Sequence, residues 1–274
     1  MLQDKQIAVL GAGRLGEALI RGLLDKDVSR ARLRATVAGA KRAEYLRQRY
    51  AIDVAAGSNA DAASGADIVI IAVKPAKVAS VLREIQTAPR PAQVIVSLAA
   101  AVRLRLMEAQ LPASTPVVRA MPNIAMALGQ SATALCPNAA VTDDQRALVA
   151  SLFRLVGEVE FVEEEAIDGV TALAGSGPAF IFYLLEALAE GGRRAGVPDE
   201  VAGRLARQTL LGAARLALET TLSPGEWIEQ VKTPGGTTVA GLAVLQREGV
   251  REALIEAVEA AARRATEIGA EFET

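Results

Sequence analysis

The chain has 274 residues, 51% of them apolar, with 30 basic and 32 acidic side chains for a formal net charge of -2. Such a chain can build the core of one large domain or two ordinary ones, while interspersed charge and only 3% aromatics offer neither the single-sign field nor the stacking surface that nucleic acid requires. Cys136 is the one cysteine and there is no histidine, which excludes an internal disulfide, a cysteine-rich metal site and the usual neutral-pH acid–base side chain, so catalysis must use Lys, Glu, Asp, a hydroxyl or a borrowed cofactor.

The opening MLQDKQIAVL sets Asp4 where a secretory signal needs a basic end, and nowhere does an apolar run reach the roughly 18 residues of a membrane span. The expectation is a soluble, cytoplasmic protein with no membrane partner. Short apolar runs at 6–10, 33–37, 67–73, 93–97 and 117–120 alternate with helical patterns, and runs this continuous suit parallel strands covered on both faces. Two more, 131–135 and 159–162, extend the predicted sheet. Between them Thr142 and Gln145, at capping-box spacing, open a helix to about residue 156.

The stretch VLGAGRLGEALIRGLL follows the first strand at once and starts a helix. Gly11, Gly13 and Gly16 stand at G-x-G-x-x-G spacing, with Arg14 and Leu15 between the last two. In that context the first glycine permits a tight turn, the second lets a pyrophosphate approach the backbone, and the third lets helix and strand pack closely. An NAD-preferring site usually carries Asp or Glu at the end of the second strand. Here Thr36, Val37, Ala38, Gly39 and Ala40 are followed by Lys41 and Arg42, which favours NADP(H) with NAD(H) possible, although both cations also suit the solvated first turn of a helix. Asn59 lies in the loop GSNADAAS. Lys74 and Pro75 close a strand in IAVKP, where an open α/β sheet binds ligands, or where a charge simply leaves a strand.

After about residue 165 the strand signal stops. Pro178, after Gly175, Ser176 and Gly177, is placed as the first residue of a helix with Ile181, Leu184, Leu185 and Leu188 at helical spacing. Pro198 starts another, to about Thr220, that is apolar nearly all round and therefore needs a subunit interface to cover it. Ser223 and Glu226 make a second capping box around Pro224, and a final amphipathic helix covers about 250–268. Within this helical half, VKTPGGTT (231–238) has two readings: a helix connection with Thr237 or Thr238 as N-cap, or a ligand-binding turn whose glycines are there to expose the backbone.

With these residues together, the chain resembles the pyrroline-5-carboxylate reductase family over nearly its whole length. The likeness runs through GAGRLG, IAVKP, SLAAAV at 97–102, RAMPN at 119–123, TALAGSGPAF at 171–180 and KTPGGTTVAGLAVL at 232–245. Ala38 stands where many members have Arg, and Ala101 replaces a common Gly. The resemblance implies an α/β N-terminal domain of Rossmann type, a doubly wound sheet at 1–165, followed by an all-α dimerisation and substrate-binding domain at 166–274. It also implies a homodimer or a larger ring of dimers, with the active site at the dimer interface. By the same resemblance Asn59, Ala72, Val73, Lys74, Pro75, Leu98, Ala99 and Ala100 line the cofactor. Gly236, Thr237 and Thr238 bind substrate, and Glu164 lies near it unless it is one acid of a solvated triplet.

The expected reaction is reduction of a cyclic imine bearing a carboxylate, pyrroline-5-carboxylate, to proline. Amides at a glycine turn opening a helix suit the carboxylate. The Thr238 hydroxyl directs a hydrogen bond to the imine nitrogen, and no strong base is needed. A related imine reductase or β-hydroxyacid dehydrogenase is expected to carry a catalytic lysine early in its helical half, and residues 169–192 contain none. A non-catalytic dinucleotide sensor would leave the PGGTT and AGSGP turns without a task.

Overall fold

A computed structural model describes residue 2 and residues 4–86 and 92–272. The chain forms two compact units, Met1–Gly175 with Ala261–Thr274, and Ser176–Ala260. The change of pattern at 165 thus precedes the structural division by ten residues, and the last part of the final helix belongs with the first unit.

The first unit runs β1 (Ile7–Leu10), α1 (Arg14–Leu24), β2 (Leu33–Val37), α2 (Ala40–Tyr50), β3 (Asp53–Ala56), α3 (Asn59–Ala63), β4 (Ile68–Ile71), α4 (Val78–Ile85), β5 (Val94–Ser97), α5 (Leu104–Glu108), β6 (Val117–Met121), β7 (Ser131–Pro137), α6 (Asp143–Arg154), β8 (Gly157–Phe161) and α7 (Ile167–Val170). Among the described residues these strands make one eight-stranded sheet in the order β3-β2-β1-β4-β5-β6-β7-β8. Every neighbouring pair is parallel except β6 with β7, which run antiparallel. Successive residues of β4 and β5 feed opposite faces. Ile68, Ile70, Val94 and Val96 enter one core with Ile7 and Val9, and Val69, Ile71 and Ile95 enter the other with Ala8 and Leu10. This two-sided burial is why those strands read as unbroken apolar runs.

β3 was not expected. Its sequence DVAA is short, and Val54 alone of its residues is buried, so no periodicity announces it. Asn59 opens a short helix instead of lying in a loop, because the chain turns into α3 directly after Ser58. The Thr142 capping box forms in both directions: the Thr142 hydroxyl accepts from the Gln145 amide at 3.3 Å, and the Gln145 side chain accepts from the Thr142 amide at 3.0 Å. Gly22 passes so close to Met126 that a Cβ there would lie 2.2 Å from its carbonyl oxygen, which fixes α1 against the turn after β6.

The second unit contains α8 (Gly177–Arg194), α9 (Asp199–Glu219), α10 (Pro224–Val231), α11 (Thr237–Arg247) and the start of α12 (Val250–Glu271). A π-helical turn, Thr171–Ser176, precedes α8, and Pro178 falls in the first turn of α8 rather than as its first residue. Pro198, expected to start α9, is its N-cap, so the helix begins one residue later at Asp199. Ser223 and Glu226 form the second capping box at α10. Of residues 176–260 only Ala189, Ala202 and Ala206 are buried, while Tyr183, Phe182 and Leu218 are 74%, 65% and 79% exposed. This unit has helices without a core of its own.

Candidate functional site

The loops leaving β1, β2, β4 and β5 share the carboxyl edge of the sheet. β1 lies between β2 and β4, so the loops on either side of it diverge and open a crevice. Gly11 has φ +80°, and a Cβ on it would lie 2.2 Å from a Val73 methyl, so the first glycine is required by the approach of the β4 loop. A Cβ on Gly16 would meet Ala72 Cβ and Val9 Cγ1 at 3.2 Å, which is the close packing of α1 on the sheet. Gly13 differs. Nothing crowds the place a Cβ would take, its nearest neighbour being the Gly11 oxygen at 3.9 Å, and Gly13 caps α1 with no side-chain hydrogen bond. The first-turn amides of Arg14, Leu15 and Gly16 follow this cap and have no acceptor within their helix. Helix dipole and amides together make this a cradle for an anionic phosphate.

Thr36 ties the glycine turn to the next strand. Its carbonyl accepts from the Gly11 amide at 3.1 Å and the Ala12 amide at 2.7 Å. Its hydroxyl donates to Asn59 Oδ1 at 2.6 Å, and Asn59 Nδ2 donates to Glu84 Oε2 at 2.6 Å. This chain of bonds borders a cavity of about 280 Å³ lined by Gly11, Ala38, Gly57, Asn59, Lys77 and Glu84 among others. The sequence reading found no acid at the end of β2, and there is none; the acid at this cavity comes from α4. Lys77 and Glu84 went unnoticed because only their seven-residue spacing, two helical turns, marks them as sharing a face.

Of the two cations after β2, Lys41 is exposed, whereas Arg42 pairs with Glu17 and reaches the Gly13 carbonyl at 3.3 Å. Burial works to raise the Glu17 carboxyl, but hydrogen bonds from Arg42 and Tyr50 outweigh it and hold its pKa below the ordinary value. Ala72, Val73 and Pro75 are half-buried at the exit of β4 and Lys74 is exposed. After β5, Leu98 and Ala99 are buried and Ala100 half-buried; Ala101 takes φ +64°, a left-handed conformation that glycine adopts more readily than alanine. The fold thus brings Gly11, Gly13, Arg14, Leu15, Gly16, Asn59, Ala72 to Pro75 and Leu98 to Ala100 to one edge.

Glu164 has other company. Its Oε1 accepts from the Leu104 amide at 2.7 Å and from Arg119 Nη1 at 3.1 Å. Arg119 is buried within β6 and also reaches Asp168 at 3.4 Å. Cys136, paired with Arg119 in the β6–β7 register, is buried; desolvation, with the Glu164 charge adding to it, pushes its thiol up to about 11. It is therefore an inert neutral thiol at physiological pH.

In the helical unit, Gly236 N–H donates to Thr233 C=O at 2.8 Å, and Gly235 has φ +69°. A Pro-Gly centre with positive φ at its second residue is a type II turn. The N-cap of α11 is Gly236, with no side-chain cap, so neither Thr237 nor Thr238 caps the helix. The reason is local: the turn already satisfies the Gly236 amide, and both threonines lie inside the first helical turn. Thr238 is half-buried and lines an apolar cavity of about 350 Å³ with Leu216, Trp227, Ile228, Val231 and Leu242.

Comparison with known proteins matches both units. Residues 164–268 match the family model described as pyrroline-5-carboxylate reductase dimerisation, and residues 6–101 match that of NADP oxidoreductase, coenzyme F420-dependent. A pyrroline-5-carboxylate reductase of Pseudomonas aeruginosa is 39% identical over 97% of this chain and 98% of its own. The solved structure of a pyrroline-5-carboxylate reductase from Coxiella burnetii superposes with a TM-score of 0.89 at 35% identity, covering 96% of this chain and 98% of that one. The Plasmodium falciparum pyrroline carboxylate reductase, solved with NADP bound, shares the fold at a TM-score of 0.88 and 24% identity, covering 98% of this chain and 100% of that one.

Proposed function

Because the chain belongs to the pyrroline-5-carboxylate reductase family, we propose that it reduces L-1-pyrroline-5-carboxylate to L-proline with a nicotinamide dinucleotide, the last step of proline biosynthesis. The observation that carries this reading is the Gly13 cradle, an open approach to the first-turn amides of α1 on a chain that matches the family end to end. The residues fit the dinucleotide. Arg14, Leu15 and Gly16 hold its pyrophosphate, Asn59 reads the adenosine side, and Ala72 to Pro75 with Leu98 to Ala100 line the nicotinamide side. Bound there, the dinucleotide supplies the hydride. NADP(H) is the preferred form, supported by the absence of an acid at the end of β2 and by Lys41 and Arg42 beside it.

The substrate end belongs to PGGTT. The first-turn amides of α11 receive the substrate carboxylate, and the Thr238 hydroxyl donates to the imine nitrogen as it becomes an amine. This assignment is supported by the uncapped start of α11. A protonated imine is already electrophilic, so one placed donor and good positioning suffice in a chain without histidine.

The working form is a dimer through the helical unit. The stretch Glu164–Arg194 is by length and composition apolar enough to cross a membrane, yet it falls inside the match to a dimerisation model, and a second copy covers its exposed apolar face. Sedimentation showing a stable, folded 28.6 kDa species would overturn this. The reaction itself is tested by loss of nicotinamide absorbance when purified protein, NADPH and pyrroline-5-carboxylate are mixed; no turnover with NADPH or NADH sinks the reading.

A further inference from the structure

Glu17 lies in the first turn of α1, directly after the glycine turn, and the reaction gives it no task. It reaches across to α2. Its Oε2 accepts from Arg42 Nη2, and its Oε1 accepts from the Tyr50 hydroxyl at 2.9 Å and the Tyr45 hydroxyl at 3.3 Å. The carboxylate is thus tied to three residues of one neighbouring helix, and its side chain is 19% exposed.

These contacts turn Arg42 back toward α1. Its Nη2 also donates to the Gly13 carbonyl at 3.3 Å, and both Nε and Nη2 reach the Ala12 carbonyl at 3.4 Å. The guanidinium lies over the Tyr45 ring, 5.0 Å from its centroid. One face is therefore stacked and the Nε–Nη2 edge is occupied. Among the described residues, Nη1 is the nitrogen of this guanidinium without a hydrogen bond. A phosphate takes an arginine best through two parallel N–H groups, and any fork of Arg42 onto a phosphate would have to include Nη2 or the occupied Nε.

Arg42 stands in the first turn of α2, immediately beyond β2, where a dinucleotide places its adenosine ribose. We propose that Glu17 is a specificity-determining residue of the cofactor site: by holding Arg42 Nη2 on α1, it competes with the 2′-phosphate of NADP(H) for one guanidinium and keeps the preference over NAD(H) moderate. An acid that merely steered Arg42 toward the phosphate would leave the forked edge open, whereas Glu17 takes part of that edge itself. Both members of the pair are partly exposed, so the competition is worth a factor of about three to five in affinity, the scale of a surface ion pair. This rests on the assignment of the dinucleotide to this edge of the sheet.

The test is titration calorimetry with adenosine 2′,5′-bisphosphate and adenosine 5′-monophosphate, which differ by the 2′-phosphate alone, with NADPH and NADH alongside. Glu17→Gln keeps the side chain's length and an oxygen for the Tyr50 hydroxyl while removing the charge, and Glu17→Ala removes the acceptor altogether. Both variants are expected to bind the bisphosphate and NADPH about three- to fivefold more tightly than the parent, with the monophosphate and NADH within about twofold. In an Arg42→Gln background the same Glu17 substitutions should bring no gain. Unchanged or weaker bisphosphate binding in both Glu17 variants would overturn the proposal, leaving Glu17 a structural tie between α1 and α2 or a guide for Arg42. A gain that persists in the Arg42→Gln background would also overturn it, since simple repulsion between Glu17 and the phosphate would then suffice. A parent that binds the two nucleotides equally would sink the NADPH preference, and the proposal would then be decided by whether Glu17→Gln still gains for the bisphosphate alone.

Discussion

Gly157 crosses Ser131 at backbone distance: a Cβ on Gly157 would sit 2.0 Å from the Ser131 carbonyl oxygen and 2.3 Å from its nitrogen, and Gly157 has φ +149°. The two residues are the first pair of the parallel β7–β8 ladder. Gly157→Ala must therefore either break this pairing or displace β8. A loss of at least about 3 kcal/mol in urea unfolding is expected, the range of a backbone clash combined with an unfavourable φ. A variant as stable as the parent would mean that β8 does not pair with β7 in this register.

Gly13→Ala is the opposite kind of change. Gly13 has φ -73°, a negative value that does not itself demand glycine, and its Cβ would meet nothing nearer than the Gly11 oxygen at 3.9 Å. The variant should melt within about 4 °C of the parent without cofactor, the cost of a poorer N-cap. Its NADPH dissociation constant should rise at least about tenfold, or about 1.4 kcal/mol, because the methyl fills the pyrophosphate's approach. Undiminished NADPH affinity, measured by titration calorimetry, would remove the cradle from the site.

Thr238→Ala separates a donor from a bystander. With the hydroxyl directed at the imine nitrogen, kcat falls by roughly ten- to a thousandfold, the scale of losing one placed donor in a dry site, while NADPH affinity holds. Thr237→Ala is the control and should keep most of kcat, since Thr237 contributes its backbone. The capping role once open to these threonines is gone, as Gly236 is the N-cap without side-chain help, so neither variant should lose the roughly 1 kcal/mol of a broken cap. Near-parental kcat in Thr238→Ala would move the proton donor elsewhere.

NADPH should exceed NADH by roughly tenfold in kcat/KM, about 1.4 kcal/mol. The structure divides the labour between the cations: Arg42 is engaged with Glu17 and the Gly13 carbonyl, and Lys41 is exposed. Lys41→Gln should remove part of the preference with little effect on melting. Arg42→Gln should remove more and also lower stability, chiefly above about pH 4.5, where the Glu17 carboxylate left behind would have to stay charged without its partner. Because the folded pKa of Glu17 is depressed, its contribution is present above the unfolded value and fades as pH falls through the folded one. A preference that survives both substitutions places the 2′-phosphate on other residues.

What the sequence disclosed follows the range of the forces involved. Both capping boxes, Thr142 with Gln145 and Ser223 with Glu226, were legible because the bonds span three residues and need no tertiary partner. The central strands were legible because two-sided burial writes itself as an unbroken apolar run. β3 was not, since DVAA carries too little apolar weight, and the π-helical turn before α8 has no local signature. The Gly236 cap escaped because a type II turn competes for the same residues. Arg119 escaped for a different reason: its partners lie 45 and 49 positions away, and a lone arginine in an apolar strand gives no hint of them.

The return of α12 to the first unit makes the helical unit, in chain terms, an insertion. Both ends of the polypeptide fall in the sheet-bearing part, and the excursion from Ser176 to Ala260 leaves and re-enters it. Grafting a helical unit from a relative therefore needs two splice points rather than one. Ending the chain at Ala260 would not yield a trimmed dimerisation module; it would remove Thr266, whose hydroxyl donates to Asp168, and Gly269, which packs closely on the Ala101 carbonyl after β5. Recombination between such genes is constrained to exchange a cassette, never a tail.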